Sequence, residues 1–408
     1  GYSSLCPQLD QEAAAALTQL KSMGFVLDDG VDEGKLLEEW FARVKSDSSK
    51  VKATILTTYD CNFACTYCVE EGVRDPIYMD DGTAERAVSY IKGRVEKKNP
   101  QSLFVTFYGG EPLLNRRAIK AAASKLKAFC DSAGMPFNFG ITTNGSLLTS
   151  RVVDELKPLG LKGVKITLDG FREEHDKKRL FKNGRGSFDI IIKRILSVID
   201  KIDVNIGGNF DPQSLDSILK LMDYLVSLGL HKKLNLVDFK PILPTIRDRD
   251  NLIPEADMGC SYADSSVMEA VIELKKALLE RGFNTRTGTG VVLCSMVIND
   301  SNFVIDPLGN IYRCPAFAGY KEFVAGHIDK PGEEDFSTVD LWKRCLNCVY
   351  APVCGDGCLY ISYVRFGDAR RLNCQKAFID YTVKENLKLN YTYRKKVDRN
   401  RDVQMDRH

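Results

Sequence analysis

Cys61, Cys65 and Cys68 stand together in the stretch DCNFACTYCVE. Thiolates are soft ligands that suit zinc, copper and iron–sulfur clusters. A structural zinc site closes with four ligands, usually from paired CxxC units, and a lone CxxxCxxC triplet cannot close one. Three thiolates can instead hold three irons of a 4Fe-4S cube and leave the fourth iron open to another ligand. Seven more cysteines crowd the C-terminal third: Cys294, Cys314, Cys345, Cys348, Cys354, Cys358 and Cys374. Only Cys6, Cys130 and Cys260 stand apart. Cys130 lies on a helical pattern and reads as core, as a lone Cys260 also does by default.

The elements that carry the first trio alternate along the chain. Short β-rich runs (VKATILTTY, SLFVTFYGG, PFNFGITTNG, GVKITLDG, DVNIGGNF, LNLVDFKPI) are separated by helical patterns such as TAERAVSYIKGRVEKK and FDIIIKRILSVIDK. Six strand–helix units predict an α/β fold with a parallel sheet, an open partial (β/α)6 barrel of the TIM type rather than a closed eightfold one. In such folds chemistry sits at the C-terminal ends of strands, which is where CNFACTYC falls. A buried parallel strand should be apolar on both faces. In KITLDG, Lys165, Thr167 and Asp169 share one face, and Asn205 and Asn209 share one in VNIGGNF. That recurrence predicts a polar cavity. Asp169, Asp238 and Lys240 are positional candidates for acid–base work.

The 408 residues carry 44% hydrophobic and 27% charged residues, as a folded globular chain does. A formal net charge of +2 argues neither for nor against a nucleic-acid partner, and none is expected. No apolar run reaches the ~18 residues of a membrane span, so no membrane association is expected. Thirteen cysteines without a visible signal peptide predict a reducing, cytoplasmic location. The chain opens on Gly1 rather than Met, so a longer natural chain is expected. The expected organisation is an N-terminal helical segment (1–50), the partial barrel (51–260), a bridging helix (261–289), a cysteine-rich domain (290–384) and a polar basic tail (385–408).

With its neighbours, the trio resembles the radical S-adenosylmethionine (SAM) superfamily, defined by CxxxCxxC after the first barrel strand. YGGEP at 108–112 is similar to the family's GGEP motif. That likeness implies that Gly109, Gly110 and Glu111 meet the methionyl amine of SAM. Tyr67 matches the aromatic position near adenine. TTNG at 142–145, with Asn144, and TLDG at 167–170, with Thr167, resemble further strand-end motifs; Asn209 ends the next strand. EEHDKKRLFKNGRGSFD resembles the segment that sets an Arg, here Arg179, near the SAM carboxylate. Cys61, Cys65, Cys68 and Asp169 are the catalytic candidates on this reading.

The later cysteines resemble the SPASM extension of these enzymes, with the spacing Cys294–x14–Gly309–x4–Cys314, then Cys345–x2–Cys348–x5–Cys354–x3–Cys358, then Cys374. The resemblance implies two auxiliary 4Fe-4S clusters, making three in all. One is held by Cys345, Cys348, Cys354 and Cys374, the other by Cys294, Cys314 and Cys358. The second then lacks a fourth protein ligand unless Cys260 reaches in, and an open site there would take a substrate thiolate. The implied activity is that of a peptide (RiPP) maturase, an oxidoreductase that installs a thioether or similar cross-link in a ribosomally made precursor peptide. Its electron would come from an external flavodoxin or ferredoxin-like reductant. Residues 1–50 then read as a remnant of a leader-peptide recognition region. The alternatives are a sulfatase maturase forming formylglycine, and a non-catalytic iron–sulfur or zinc adaptor.

Overall fold

The computed structural model of the protein describes residues 7–22, 26–246, 265–288, 294–337, 340–355 and 357–405. Cys6 and Cys260 lie outside the described residues. Residues 1–43 and 44–408 form two compact units. The first holds α1 (Pro7–Ser22) and most of α2 (Glu33–Ser46), where helices were expected.

The second unit alternates strand and helix. It runs β1 (Lys50–Leu56), α3 (Asp81–Lys98), β2 (Ser102–Tyr108), α4 (Arg116–Ser132), β3 (Phe137–Thr143), α5 (Ser150–Leu156) and β4 (Leu161–Thr167). It continues through α6 (Arg172–Lys178), α7 (Phe188–Val198), β5 (Asp203–Phe210), α8 (Leu215–Ser227), β6 (Leu236–Pro241) and α9 (Ser265–Glu280). Local chemistry sets the helix ends. The Asp80 carboxylate accepts the Thr83 N–H and starts α3, and Asn99 closes it in the left-handed region at φ 46°. The apolar stripe of α4, Ala118, Ile119, Ala122, Ala123, Leu126 and Cys130, is buried at helical spacing. Cys130 is therefore a core thiol.

All six strands pair in parallel, in the order β6-β5-β4-β3-β2-β1. Their alternation decides what faces what. In β5, Val204, Ile206, Gly208 and Phe210 are buried, while Asn205, Gly207 and Asn209 are only half-buried. Buried apolar side chains of this kind stabilise the sheet by about 1.5–3 kcal/mol each. The polar set on the other face lines a cavity instead.

Two elements run across the expected boundaries. The cysteine-rich region does not stand apart, because β7 (Asn302–Ile305) joins the same sheet in parallel beside β1, with Ala53 opposite Phe303 and Ile55 opposite Ile305. Two antiparallel strands, β8 (Asn310–Tyr312) and β9 (Gly326–His327), extend it to nine strands. After α10 (Ala351–Cys354) and α11 (Leu359–Phe366), α12 runs from Lys376 to Met405. The expected start of a separate tail at 385 thus falls inside a continuous helix. Among the described residues no helix is long and apolar enough to cross a membrane.

Candidate active site

The trio loop leaves β1 and is held in place by a distant segment. Ala64 N–H donates to the Leu180 carbonyl (2.8 Å), Thr66 N–H to that of Lys178 (3.1 Å), and Lys182 N–H to that of Asn62 (3.0 Å). Phe63 and Phe181 pack edge to face at 4.7 Å between centroids, and Lys182 pairs with Asp60 at 2.7 Å. This clamp is why the residues after α6 matter: it carries Arg179 to Tyr67. Glycines seat the loop on β2. A Cβ on Gly110 would lie 2.1 Å from the Asp60 carbonyl oxygen, and one on Gly109 2.3 Å from that of Thr58. Gly110→Ala should therefore cost about 3 kcal/mol or more and loosen the loop. A lowered denaturant midpoint together with lost iron would be the measured signs.

The loop opens on a cavity of about 450 Å³, in the range of small-molecule sites. Cys61, Cys65 and Cys68 line it, as do Tyr67, Gly109, Gly110, Asn144, Thr167, Arg179 and Asn209. Burial pushes the Cys61 thiol up to about 12 and raises that of Cys68. The Cys61 sulfur meets the Phe63 N–H (3.4 Å) and the Asn144 side-chain amide (3.9 Å). Arg74 was missed from the sequence. It lies close enough to interact with all three thiols, and its Nε is buried without a partner. Such a cation beside thiols favours their deprotonated, ligand-competent form. Its only sequence signal is that it lies a few residues beyond the trio.

Two predicted site residues are placed otherwise. Glu111 is fully buried and does not line the cavity. Its carboxylate accepts from Leu113 N–H (3.0 Å), Asn144 N–H (2.8 Å) and the Thr143 hydroxyl (2.8 Å). It braces the β2 and β3 ends, and burial pushes its pKa up to about 6. Asp169 is also fully buried and off the cavity wall. It accepts the Tyr67 hydroxyl and the Asn209 N–H (2.7 Å), while Arg179 Nη1 donates to the Tyr67 oxygen at 2.8 Å. Asp169 is a positioning residue that holds Tyr67, Asn209 and Arg179, not a group that reaches a reacting atom.

His175, also missed, sits beneath this network. Asp169 N–H donates to its Nδ1 (3.3 Å), so Nε2 carries the proton toward Ser187 Oγ (3.0 Å), which donates to the Arg179 carbonyl (2.6 Å). Burial holds its pKa well below the usual value. The unfolded chain therefore binds a proton that the folded chain refuses, and stability falls as pH drops below about 6.5. The wild type should lose up to about 1.4 kcal/mol per pH unit there from this group. In urea melts at stepped pH, His175→Gln should show a shallower acid slope.

The C-terminal cysteines fall into two sets. Cys345, Cys348, Cys354 and Cys374 line one small cavity with Trp342 and Tyr350. Cys294, Cys314 and Cys358 lie near one another: burial, then the neighbouring thiols, raise Cys314 to about 12, and Cys294 also feels Cys358. The hairpin of β7 and β8 explains the Gly309 spacing. Gly309 turns it at φ +91°, over Asp306, which accepts the Leu308 and Asn310 N–H groups at 2.9 and 2.8 Å. Because β7 pairs with β1, the hairpin delivers Cys314 beside the main cavity, and Pro315 lines it. The Tyr108 hydroxyl is pushed far up by Glu70, by burial, and by the thiols of both Cys68 and Cys314.

The residues present fit an iron–sulfur cluster with SAM. The main cavity offers three thiols, N–H donors to sulfur, and Arg179 with a buried, unpartnered Nε. Among the described residues no three His, Cys, Asp or Glu side chains converge on a single metal ion.

Parallel sheet, strand-end loop and cysteine trio stand together in one segment, and residues 55–225 match the model of the Radical SAM superfamily. The mycofactocin maturase MftC of Mycolicibacterium smegmatis is 25% identical over 322 residues, covering 74% of this chain and 76% of MftC. The radical SAM cyclopropyl synthase TigE of Paramaledivibacter caminithermalis is 24% identical over 384 residues, 85% of this chain and 76% of TigE. Among solved structures, anSMEcpe with bound AdoMet and Kp18Cys peptide superposes with a TM-score of 0.66 at 16% identity, covering 86% of this chain and 99% of that one.

Proposed function

We propose that the protein is a radical SAM peptide maturase that cross-links a ribosomally made peptide, with a thioether as the bond formed. The observation that carries this reading is a second set of three neighbouring thiols, Cys294, Cys314 and Cys358, of which Cys314 lies next to Pro315 and near Tyr108 on the wall of the cavity that the first trio lines. Cys61, Cys65 and Cys68 would hold a 4Fe-4S cluster, which with SAM supplies a 5′-deoxyadenosyl radical after one-electron reduction. Cys345, Cys348, Cys354 and Cys374 would hold a complete auxiliary cluster. Cys294, Cys314 and Cys358 would hold another with a corner left for a substrate thiolate. Tyr67, Thr167 and Asn209 shape the nucleoside side of the cavity, and the Arg179 guanidinium suits the SAM carboxylate. Backbone at Gly109 and Gly110 and the Asn144 side chain close the methionyl end. The Kp18Cys peptide bound to anSMEcpe and the precursor peptide bound to Streptococcus suis SuiB support a peptide substrate.

Forming the thioether removes one hydrogen from a substrate carbon, which passes to 5′-deoxyadenosine, and one proton from the substrate thiol. The leftover electron needs an acceptor, a role that suits an auxiliary cluster. The test is anaerobic reaction with SAM, a reductant and each short cysteine-bearing peptide that any reading frame beside the gene encodes. A product lighter by two hydrogens, made by protein holding about twelve irons, supports the reading. Cleavage of SAM with every such peptide returned unchanged overturns it. Formylglycine as the product would establish the sulfatase-maturase reading instead.

A further inference from the structure

The cavity wall made by β4, β5 and β6 carries a group of charges that the cluster chemistry does not use. Strand register places Gly207 opposite Thr167 and Asp238, and Asn209 opposite Lys240. Lys165 enters from β4 on the same face. Its side chain crosses the space left by Gly207, where a Cβ would lie 2.5 Å from Lys165 Cε. Arg286 joins from the segment after α9, and all four charged groups line the cavity. Lys275 lies behind Asp238, with its Nζ on Asn386 Oδ1 at 3.2 Å. Among the described residues, Lys165, Lys240 and Arg286 have no carboxylate within ion-pair distance. Lys125, Arg172 and Lys182, on other parts of the fold, are each paired with a carboxylate.

Four cations around one carboxylate leave a surplus of positive charge inside a concave, partly desolvated site. Mutual repulsion shows there: burial and then Lys240 lower the Lys165 pKa, while Asp238 opposes the shift. A site of this kind concentrates anions. Lys275 does not line the cavity, and Asp238 offsets one of the three cations that do, so one or two negative charges balance the remainder, and a polyphosphate would set its own charges against Asp238.

We propose that Lys165, Lys240 and Arg286 bind a carboxylate of the substrate peptide, with Asp238 as the internal counter-ion that sets how much negative charge the site accepts. This rests on the peptide reading above. It means that an acidic residue, or the chain-terminal carboxylate, is anchored on the β4–β6 wall while the reacting carbon faces the trio loop.

The test is lysine acylation footprinting by mass spectrometry on the full-length, anaerobically isolated protein. Four probes are compared: N-acetylglutamate N-methylamide, N-acetylglycylglycine, N-acetylglutamine N-methylamide and inorganic phosphate. The first supplies a side-chain carboxylate, the second a terminal one, the third none. At least one carboxylate probe should slow labelling of Lys165 and Lys240 by about threefold or more, with exposed Lys232 unchanged; which one protects identifies the source. Lys240→Met should remove the protection of Lys165, and Asp238→Asn should strengthen it. Equal protection by the glutamate and glutamine probes overturns the proposal, as does stronger protection by phosphate. Release of 5′-deoxyadenosine is measured on the same preparation. Turnover without protection refutes this site alone, whereas its absence refutes the radical SAM reading beneath it.

Discussion

Cys65→Ala should abolish 5′-deoxyadenosine formation, by at least about 1000-fold, or ~4 kcal/mol in the barrier. The size follows from the geometry. Cys65 is buried in a loop fixed at both flanks by backbone bonds to Leu180 and Lys178, so no other thiol can swing into its place. Cys130 is the control. It is fully buried in α4, remote in role from either thiol set, and Cys130→Ala should leave iron content and SAM cleavage unchanged. Nucleoside release by anaerobic chromatography, alongside iron per chain, reads both variants. Retained cleavage in Cys65→Ala would mean that the trio does not hold the reactive cluster.

Cys314→Ser should separate the two stages of the chemistry. Peptide product should fall at least about 100-fold, ~2.7 kcal/mol, while SAM cleavage persists. Cys314 is delivered by the β7–β8 hairpin next to the cavity, with Cys294 and Cys358 as its neighbours. It lies on a different element from the trio loop, and serine keeps its volume, so the β1–β7 pairing survives. The ratio of peptide product to 5′-deoxyadenosine is the quantity to measure. A proportional loss of both would tie Cys314 to SAM cleavage itself and remove the division of labour.

These outcomes draw on residues that were unequally legible in the sequence. The six parallel strands announce themselves by β-rich runs between amphipathic helices, and Val267, Val271, Leu274 and Leu278 bury at helical spacing in α9. The cysteine trio is read from spacing because its ligands are local. β7, β8 and β9 are four, three and two residues long. β7 pairs with β1, some 250 positions earlier, and β8 and β9 build outward from it, so no long local pattern betrays them. Side-chain direction was equally hidden. Glu111 and Asp169 occupy motif positions, yet each carboxylate is drawn into the scaffold by N–H and hydroxyl donors that the fold assembles from β3 and β5. Lys165, Lys240 and Arg286 meet only through register across three strands and the return of the chain after α9.

The central claim is an open, SAM-binding iron held by Cys61, Cys65 and Cys68. Its most direct measurement is electron paramagnetic resonance of the reduced protein before and after adding SAM. The auxiliary cysteines are changed to alanine so that one cluster signal remains. The account predicts a 4Fe-4S signal whose g-values shift on SAM addition, with 5′-deoxyadenosine released. A spectrum indifferent to SAM, or zinc in place of iron at the trio, would contradict it.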